Sequence, residues 1–226
     1  NLSFCKVPKV WRIVDLIQWS ESYFREKYHQ NPRLEIEWML CSLLNCERLD
    51  LYMRFDEPLS GSQLSTLRGW VKRRSKNEPL QYITESCEFY GIEFFVDKRV
   101  LIPRPETERL IDEAIKSIKH VRSPNIFDIG TGSGCIAIAL AKEIENSNVI
   151  GIDKSIMSLQ VAKKNSAELN VENVTFLEMD ILNQYPKEKF DLVISNPPYI
   201  PKKEIPGLMK DVKDFEPEIA LTDFDD

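Results

Sequence analysis

Apolar positions in the first third of the chain recur at helical spacing. Val10, Ile13, Leu16, Ile17, Trp19 and Phe24 recur at roughly helical spacing, with charged residues between them, which predicts an amphipathic helix. Pro32 opens a second run through Ile36, Met39, Leu40, Leu43 and Leu44. Proline suits that place because a first helical turn has no partner for its N–H. A third run follows Ser62, with Leu64, Leu67, Trp70 and Val71, and ends in Lys72-Arg73-Arg74, where cations complement the helix dipole. Residues 8–77 therefore read as a small helical bundle. The pattern changes at Asn77–Pro79. Residues 87–103 alternate apolar and polar, and Gly91 separates Glu88–Tyr90 from Ile92–Val96, which predicts a β-hairpin. Pro103–Glu108 then opens a helix running to about His120.

From residue 125 short apolar runs alternate with longer helical ones. Ile126–Ile129, Val149–Ile152, Val174–Leu177 and Leu192–Ser195 read as strands, and Cys135–Ile144 and Ser155–Asn170 as helices, with Ser155 as an N-cap. Strands alternating with helices imply an α/β domain with a mostly parallel, doubly wound sheet. The expected organisation is a helical domain over 1–80, a β-hairpin linker over 81–105 and the α/β domain over 106–226.

Composition narrows the chemistry. The chain has 226 residues, enough to bury a core in one large or two modest domains. Cys5, Cys41, Cys46, Cys87 and Cys135 are odd in number, irregularly spaced and lack a C-x-x-C. That argues against a disulfide framework or a zinc site and favours a reducing, cytoplasmic setting. His29 and His120 are the only histidines, so a histidine triad or metal centre is not expected. Ile136–Ala141 and Trp38–Leu44, the longest apolar stretches, are too short to span a bilayer. Asn1–Lys9 does not read as a signal peptide, and with no initial Met a few residues are expected to be missing. Residues 1–84 hold 13 Lys/Arg against 10 Asp/Glu, and residues 85–226 hold 17 against 26. The acidic second part argues against extensive contact with a nucleic-acid backbone.

Four segments carry candidate chemistry. Asp128-Ile129-Gly130-Thr131-Gly132-Ser133-Gly134 joins a predicted strand to a predicted helix. Glycines there allow a sharp turn and close backbone approach to a ligand. The spacing is G-x-G-x-G, not the G-x-G-x-x-G of dinucleotide sites. Asp153, 19 residues beyond Gly134 at the end of the second strand, suits a ribose diol, whose two hydroxyls a carboxylate accepts. The competing role is a local cap before Ser155. Met179-Asp180-Ile181 follows the third strand. Asp180 would accept from an adenine amine and Ile181 would pack on the ring, against the alternative of an ordinary strand-end Asp.

Ser195-Asn196-Pro197-Pro198-Tyr199 follows the fourth strand. Tandem prolines stiffen the chain and lack N–H donors. The Asn196 side-chain carbonyl and the Pro197 backbone carbonyl would accept both hydrogens of one –NH2 group, with Tyr199 against its flat face. Such a nitrogen is a poor nucleophile because its lone pair is delocalised. Fixing both N–H bonds aims it at a donor and stabilises developing charge.

Asp128–Gly134 resembles motif I of class I S-adenosylmethionine methyltransferases. Asn196–Tyr199 resembles the motif IV shared by methyltransferases of amide and exocyclic amine nitrogens. Glu78-Pro79-Leu80-Gln81-Tyr82-Ile83 and Val100-Leu101-Ile102-Pro103-Arg104-Pro105-Glu106-Thr107-Glu108 resemble the linker of HemK/PrmC-type methyltransferases. Those enzymes modify the Gly-Gly-Gln glutamine of class I peptide chain release factors. The resemblance implies a helical N-terminal domain, a β-hairpin linker and a Rossmann-like class I methyltransferase domain. By it, Gly130, Thr131, Gly132, Ser133, Gly134, Asp153, Asp180 and Ile181 would bind S-adenosyl-L-methionine. Asn196 would touch cofactor and substrate, and Asn196, Pro197, Pro198 and Tyr199 would hold the glutamine amide. Thr84 stands where many members have glycine, and Ile181 where several have an aromatic residue. Members continue through three more strands beyond the position of Asp226, so this chain is expected to be a trimmed piece.

The expected reaction is in-line methyl transfer to the amide nitrogen, without a metal or a nucleophilic side chain. The expected enzyme is a cytoplasmic monomer that meets release factors through its helical domain, without direct nucleic-acid contact. Three alternatives stand beside it: an N-methyltransferase of DNA or ribosomal RNA, a non-enzymatic nucleoside-binding module, and an NAD dehydrogenase, which the glycine spacing disfavours.

Overall fold

In the computed structural model, residues 10–27 and 31–222 are described. Cys5, His29 and the expectations for the two chain ends lie outside them. The chain divides after Thr84 into two units.

The first unit contains α1 (Ile13–Glu26), α2 (Pro32–Leu44), α3 (Arg48–Met53), α4 (Gly61–Arg74) and α5 (Leu80–Thr84). Ile13, Leu16, Ile17 and Phe24 of α1 share a buried core with Ile36, Met39, Leu40, Leu51, Leu67, Val71 and Ile83. These are largely the positions that the helical spacing marks. The short helices α3 and α5 carry too few turns for a period to show. Ser60 caps α4 in a reciprocal box with Gln63, two residues before the expected start.

The basic end of α4 does more than complement a dipole. Arg73 donates to both carboxylate oxygens of Glu78 at 2.9 and 2.8 Å, and Arg74 to both of Glu35 at 2.9 and 2.8 Å. A fully buried carboxylate, Glu37, accepts from Arg33 at 2.8 Å, Arg48 at 2.6 Å and the Tyr52 hydroxyl at 2.8 Å. Breaking a buried pair of this kind leaves an uncompensated charge and is strongly destabilising.

The second unit begins with a hairpin, β1 (Ser86–Phe89) and β2 (Ile92–Phe95), antiparallel with Phe89 opposite Ile92. Tyr90 and Gly91 turn it with positive φ, 53° and 68°. Phe89 and Phe94 are buried in one core with Ile111, Ala137 and Ala162, so the hairpin is packed into the second unit as well as being a connection. A short 3-10 turn, Pro105–Thr107, leads into α6 (Glu108–Ile118).

The chain then alternates β3 (Asn125–Ile129), α7 (Cys135–Glu143), β4 (Asn148–Asp153), α8 (Ile156–Glu168), β5 (Val174–Glu178) and β6 (Leu192–Ser195). The strands form a parallel sheet in the order β5-β4-β3-β6. This is the expected α/β, doubly wound arrangement, with the order reversing beside β3. Helix α7 is buried throughout Cys135–Ala141, as a helix apolar on all sides requires. A second 3-10 turn, Lys202–Gly207, and two short helices, α9 (Lys210–Phe215) and α10 (Glu218–Leu221), follow β6. No helix of the described residues is long and apolar enough to cross a membrane.

Gly151, inside β4, fixes how closely β5 and the loop after β3 approach. A Cβ there would lie 2.8 Å from two ring atoms of Phe176 and 2.8 Å from the Thr131 hydroxyl. Gly151→Ala is expected to destabilise the second unit by about 1–3 kcal/mol, the usual cost of overpacking. Urea unfolding measures this, and an unchanged midpoint would refute the packing account.

Candidate active site

The site is built at the carboxyl ends of the parallel strands, where the strand order reverses and ligands bind in open α/β sheets. After β3 the chain folds back on β4: the N–H groups of Gly130 and Thr131 both donate to the Ile152 carbonyl, at 2.9 and 2.8 Å. Gly130, Gly132 and Gly134 have φ of 72°, 56° and 81°, a region L side chains rarely enter. The three glycines serve different ends. A Cβ on Gly130 would meet nothing within 4 Å, and on Gly132 only the Gly130 carbonyl at 4.0 Å. These two leave room for a ligand. A Cβ on Gly134 would crowd Phe176, Ala162 and Ile138 at 3.0–3.1 Å, so Gly134 serves packing.

Beneath the loop lies Asp128, fully buried, accepting from the Thr131 hydroxyl at 2.6 Å. Burial pushes its carboxyl up to about 7. The Thr131 hydroxyl and the Ala137 N–H oppose that rise, and the charge of Asp153 adds to it. Asp153 closes the loop from β4: its Oδ2 accepts from the Gly132 N–H at 3.0 Å and its Oδ1 from the Ser155 N–H at 2.8 Å. Each carboxylate oxygen has a further lone pair for a ligand hydroxyl. The local bonds therefore leave the expected ribose role open to the same side chain. Ser155 caps α8, accepting from Ser158 N–H.

A cavity of about 240 Å³ opens beside this loop. Gly130, Gly132, Asp153, Asp180, Ile181, Asn196, Pro197 and Pro198 line it, so most of the expected residues converge. Four do not. Thr131 and Ser133 are buried, and with Gly134 they face the packed side of the loop. Tyr199 is 71% exposed and stands outside the lining. The carboxylate of Asp180 is turned to its own bend, accepting from Leu182 N–H at 3.1 Å and the Asn183 amide at 2.6 Å.

The remaining walls carried no site role in the sequence. Val100 and Leu101 come from the segment before α6, and Ile219 and Ala220 from α10. Ser158 holds the first pair in place through a 3.0 Å bond to the Arg99 carbonyl. Asn165, 1% exposed, bonds the Phe95 N–H and carbonyl at 2.8 and 3.0 Å and the Ser133 carbonyl at 2.9 Å. It thereby ties the hairpin to the glycine loop. None of these contacts has a local pattern that would announce it.

A nucleoside-bearing sulfonium such as S-adenosylmethionine fits the donor set: open space at two positive-φ glycines, a carboxylate with spare acceptors, and apolar walls at Ile129, Ile152 and Ile181. Beyond it, Asn196–Pro198 supply amide and backbone acceptors.

Comparison with known proteins agrees. Residues 15–84 match the family described as PrmC N-terminal domain, and residues 120–223 the one described as Methyltransferase domain. A release factor glutamine methyltransferase of Geobacter sulfurreducens is 42% identical over 214 residues, covering 95% of this chain and 74% of its own. One from Chlorobaculum tepidum is 40% identical over 223 residues, covering 94% and 76%. Among solved structures, M. jannaschii TYW2 in complex with AdoMet overlaps 53% of this chain and 52% of its own at 22% identity and a TM-score of 0.42, too partial to bear on the assignment.

The raised Asp128 carboxyl has a consequence for stability. Its folded pKa of about 7 lies above the ordinary 3.8. The stability it contributes is therefore present below about pH 4 and lost as pH rises through about 7. Asp128→Asn is expected to gain on the wild type across that window, by an amount on the order of a few kcal/mol. Urea midpoints of both proteins at pH 5, 6, 7 and 8 measure it. A difference that stays constant with pH would contradict the assignment.

Proposed function

The chain belongs to the release factor glutamine methyltransferases, and from that membership we propose that it methylates the side-chain amide nitrogen of the glutamine in the Gly-Gly-Gln motif of class I peptide chain release factors. The observation that carries this is the convergence of Asn196, Pro197 and Pro198 on the same cavity as Gly130, Gly132 and Asp153. S-adenosylmethionine, when bound, supplies a methyl group on sulfur, which leaves as a neutral thioether as the N–C bond forms.

The protein's residues bind and orient. Gly130 and Gly132 give the cofactor backbone clearance, Asp153 accepts from its ribose, and Asp180 and Ile181 border its base. The Asn196 Oδ1 and the Pro197 carbonyl accept the two glutamine N–H groups, which turns the nitrogen toward the methyl group. Orientation of this kind is worth up to about 7–11 kcal/mol in favourable cases. The extra proton on nitrogen passes to water. With Tyr199 at the surface, its ring is available to cover the amide from the solvent side.

A lone glutamine offers little to distinguish one protein from another, so the first unit is assigned to recognising the release factor. It exposes Leu34 and Trp38 on α2 and Leu49 and Met53 on α3, beside Arg33 and Arg48. The same reading makes the enzyme a cytoplasmic monomer without direct nucleic-acid contact. A DNA or RNA N-methyltransferase would share Asn-Pro-Pro-Tyr but not the match of the first unit to the PrmC N-terminal domain.

Three measurements test the proposal. Labelled S-adenosylmethionine offered with release factor, RNA and DNA in parallel should label only the release factor; label in RNA or DNA alone would overturn it. Asn196→Ala should lower the transfer rate by about 100-fold or more while the cofactor still binds, in line with losing an oriented polar contact in the transition state. Leu49→Ser with Met53→Ser should raise the KM for intact release factor and leave methylation of a short Gly-Gly-Gln peptide unaltered. Equal effects on both substrates would remove the first unit from recognition.

A further inference from the structure

The acceptor role of Asn196 contains an unstated requirement. A carboxamide presents a carbonyl on one side and an –NH2 on the other, and a half-turn about its last bond exchanges them. Only the orientation with Oδ1 toward the substrate accepts a glutamine N–H. The opposite orientation sets donor against donor. Something must therefore receive the Asn196 N–H on the side away from the substrate.

Thr107 is in that position. Its Oγ1 lies 3.5 Å from Asn196 Nδ2, across 89 positions of sequence. That is at the long end for a hydrogen bond, and catalytic contacts of this length commonly tighten when substrate is bound. Thr107 is the N-cap residue of α6, where a threonine hydroxyl ordinarily accepts from the helix's own first-turn N–H groups. Here it makes no such bond. Its hydroxyl is thus not explained by the helix it precedes.

The turn that carries Thr107 is anchored on both sides. Thr107 N–H donates to the Arg104 carbonyl at 3.0 Å, and the Arg104 guanidinium donates to Glu216 at 2.5 Å, a carboxylate 6% exposed. Next along the chain, Glu108 accepts from the Tyr90 N–H of the hairpin at 2.9 Å. On the other side of the contact, Ser195 Oγ donates to the Ile129 carbonyl at 2.8 Å and fixes the strand end from which Asn196 projects. Two stiffly held backbones face each other through one hydroxyl and one amide.

We propose that Thr107 is a positioning residue of the acceptor site: its hydroxyl receives the Asn196 side-chain N–H and so holds the Asn196 carbonyl toward the glutamine amide. Accepting that N–H also polarises the Asn196 amide and makes its oxygen a better acceptor. This inference rests on the assignment of Asn196 as the acceptor.

Thr107→Val keeps the shape and removes the hydroxyl; Thr107→Ser restores it. In the full chain with intact release factor, Thr107→Val is expected to lower kcat about tenfold, the scale of one lost hydrogen bond. Cofactor affinity, thermal midpoint and the KM for release factor should each remain close to wild type. Thr107→Ser should return kcat to within about twofold of wild type, since only the hydroxyl is required. An unchanged kcat in Thr107→Val overturns the proposal. So does a loss of kcat that tracks a lowered midpoint or cofactor affinity, and so does a serine variant as slow as the valine one. Asn196→Ala in the same assay separates the two levels of argument. If it retains transfer, the acceptor assignment falls and the role of Thr107 with it. If it loses transfer while Thr107→Val does not, the role of Thr107 alone falls.

Discussion

The turn after β3 is bonded to the neighbouring strand as well as to itself, the Gly134 N–H donating to the Thr131 carbonyl at 2.8 Å. Gly130 and Thr131 donate to one carbonyl at the end of β4, and Gly132 donates to the side chain of Asp153 one residue later. Asp128 holds the same loop from below through Thr131. These few bonds fix the height of the loop over the sheet. They require positive φ at three positions, which is why glycine recurs there. Everything around the cavity is referred to that height: Asp153 by direct contact, the start of α7 by the Gly134 turn, and Asn196 because β6 pairs with β3 in register, Ile129 opposite Ser195.

The cost of the arrangement is a buried carboxyl under a loop that must also approach a charged ligand closely. A raised Asp128 pKa is the price of placing an acidic group where water does not reach. The Thr131 hydroxyl lowers that cost and turns the group into a fixed strut. The strut and the cavity-facing carboxylate have separate duties. Asp128 shapes the loop without lining the cavity, whereas Asp153 both shapes the loop and lines the cavity. A single acidic residue could not occupy both ends of the loop.

Much of this was legible in the sequence where local chemistry decides it. β6 follows its predicted bounds to the residue because apolar Leu192–Ile194 and Ser195 lead straight into Asn-Pro-Pro, whose prolines cannot continue a ladder. The Ser155 cap and the strand–glycine loop–helix order were readable for the same reason. What escaped was short or distant. Helices α3, α5, α9 and α10 have four to six residues each, too few for periodicity to separate from chance. Gly151 looks like any strand glycine until Phe176 is placed beside it. Gly134 shares a motif with Gly130 and Gly132 but answers to packing rather than to the ligand. Thr131, Ser133 and Tyr199 were grouped with their neighbours by motif, and side-chain direction divides them from the cavity.

The contacts that hold the acceptor end show why such residues are hard to read. Arg104 and Glu216 are 112 positions apart, Thr107 and Asn196 are 89, and Asn165 and Phe95 are 70. Each joins segments far apart in sequence, and only the Thr107–Asn196 contact reaches the end of a parallel strand directly. In the proposed transfer the protein's residues bind and orient, so the rate rests on geometry. A carbonyl that accepts a proton donor from the substrate is useful only if its own amide cannot turn over. In the proposed acceptor site the chemistry would be carried by Asn196–Pro198, while its accuracy would depend on polar contacts in segments that, read alone, look like connections.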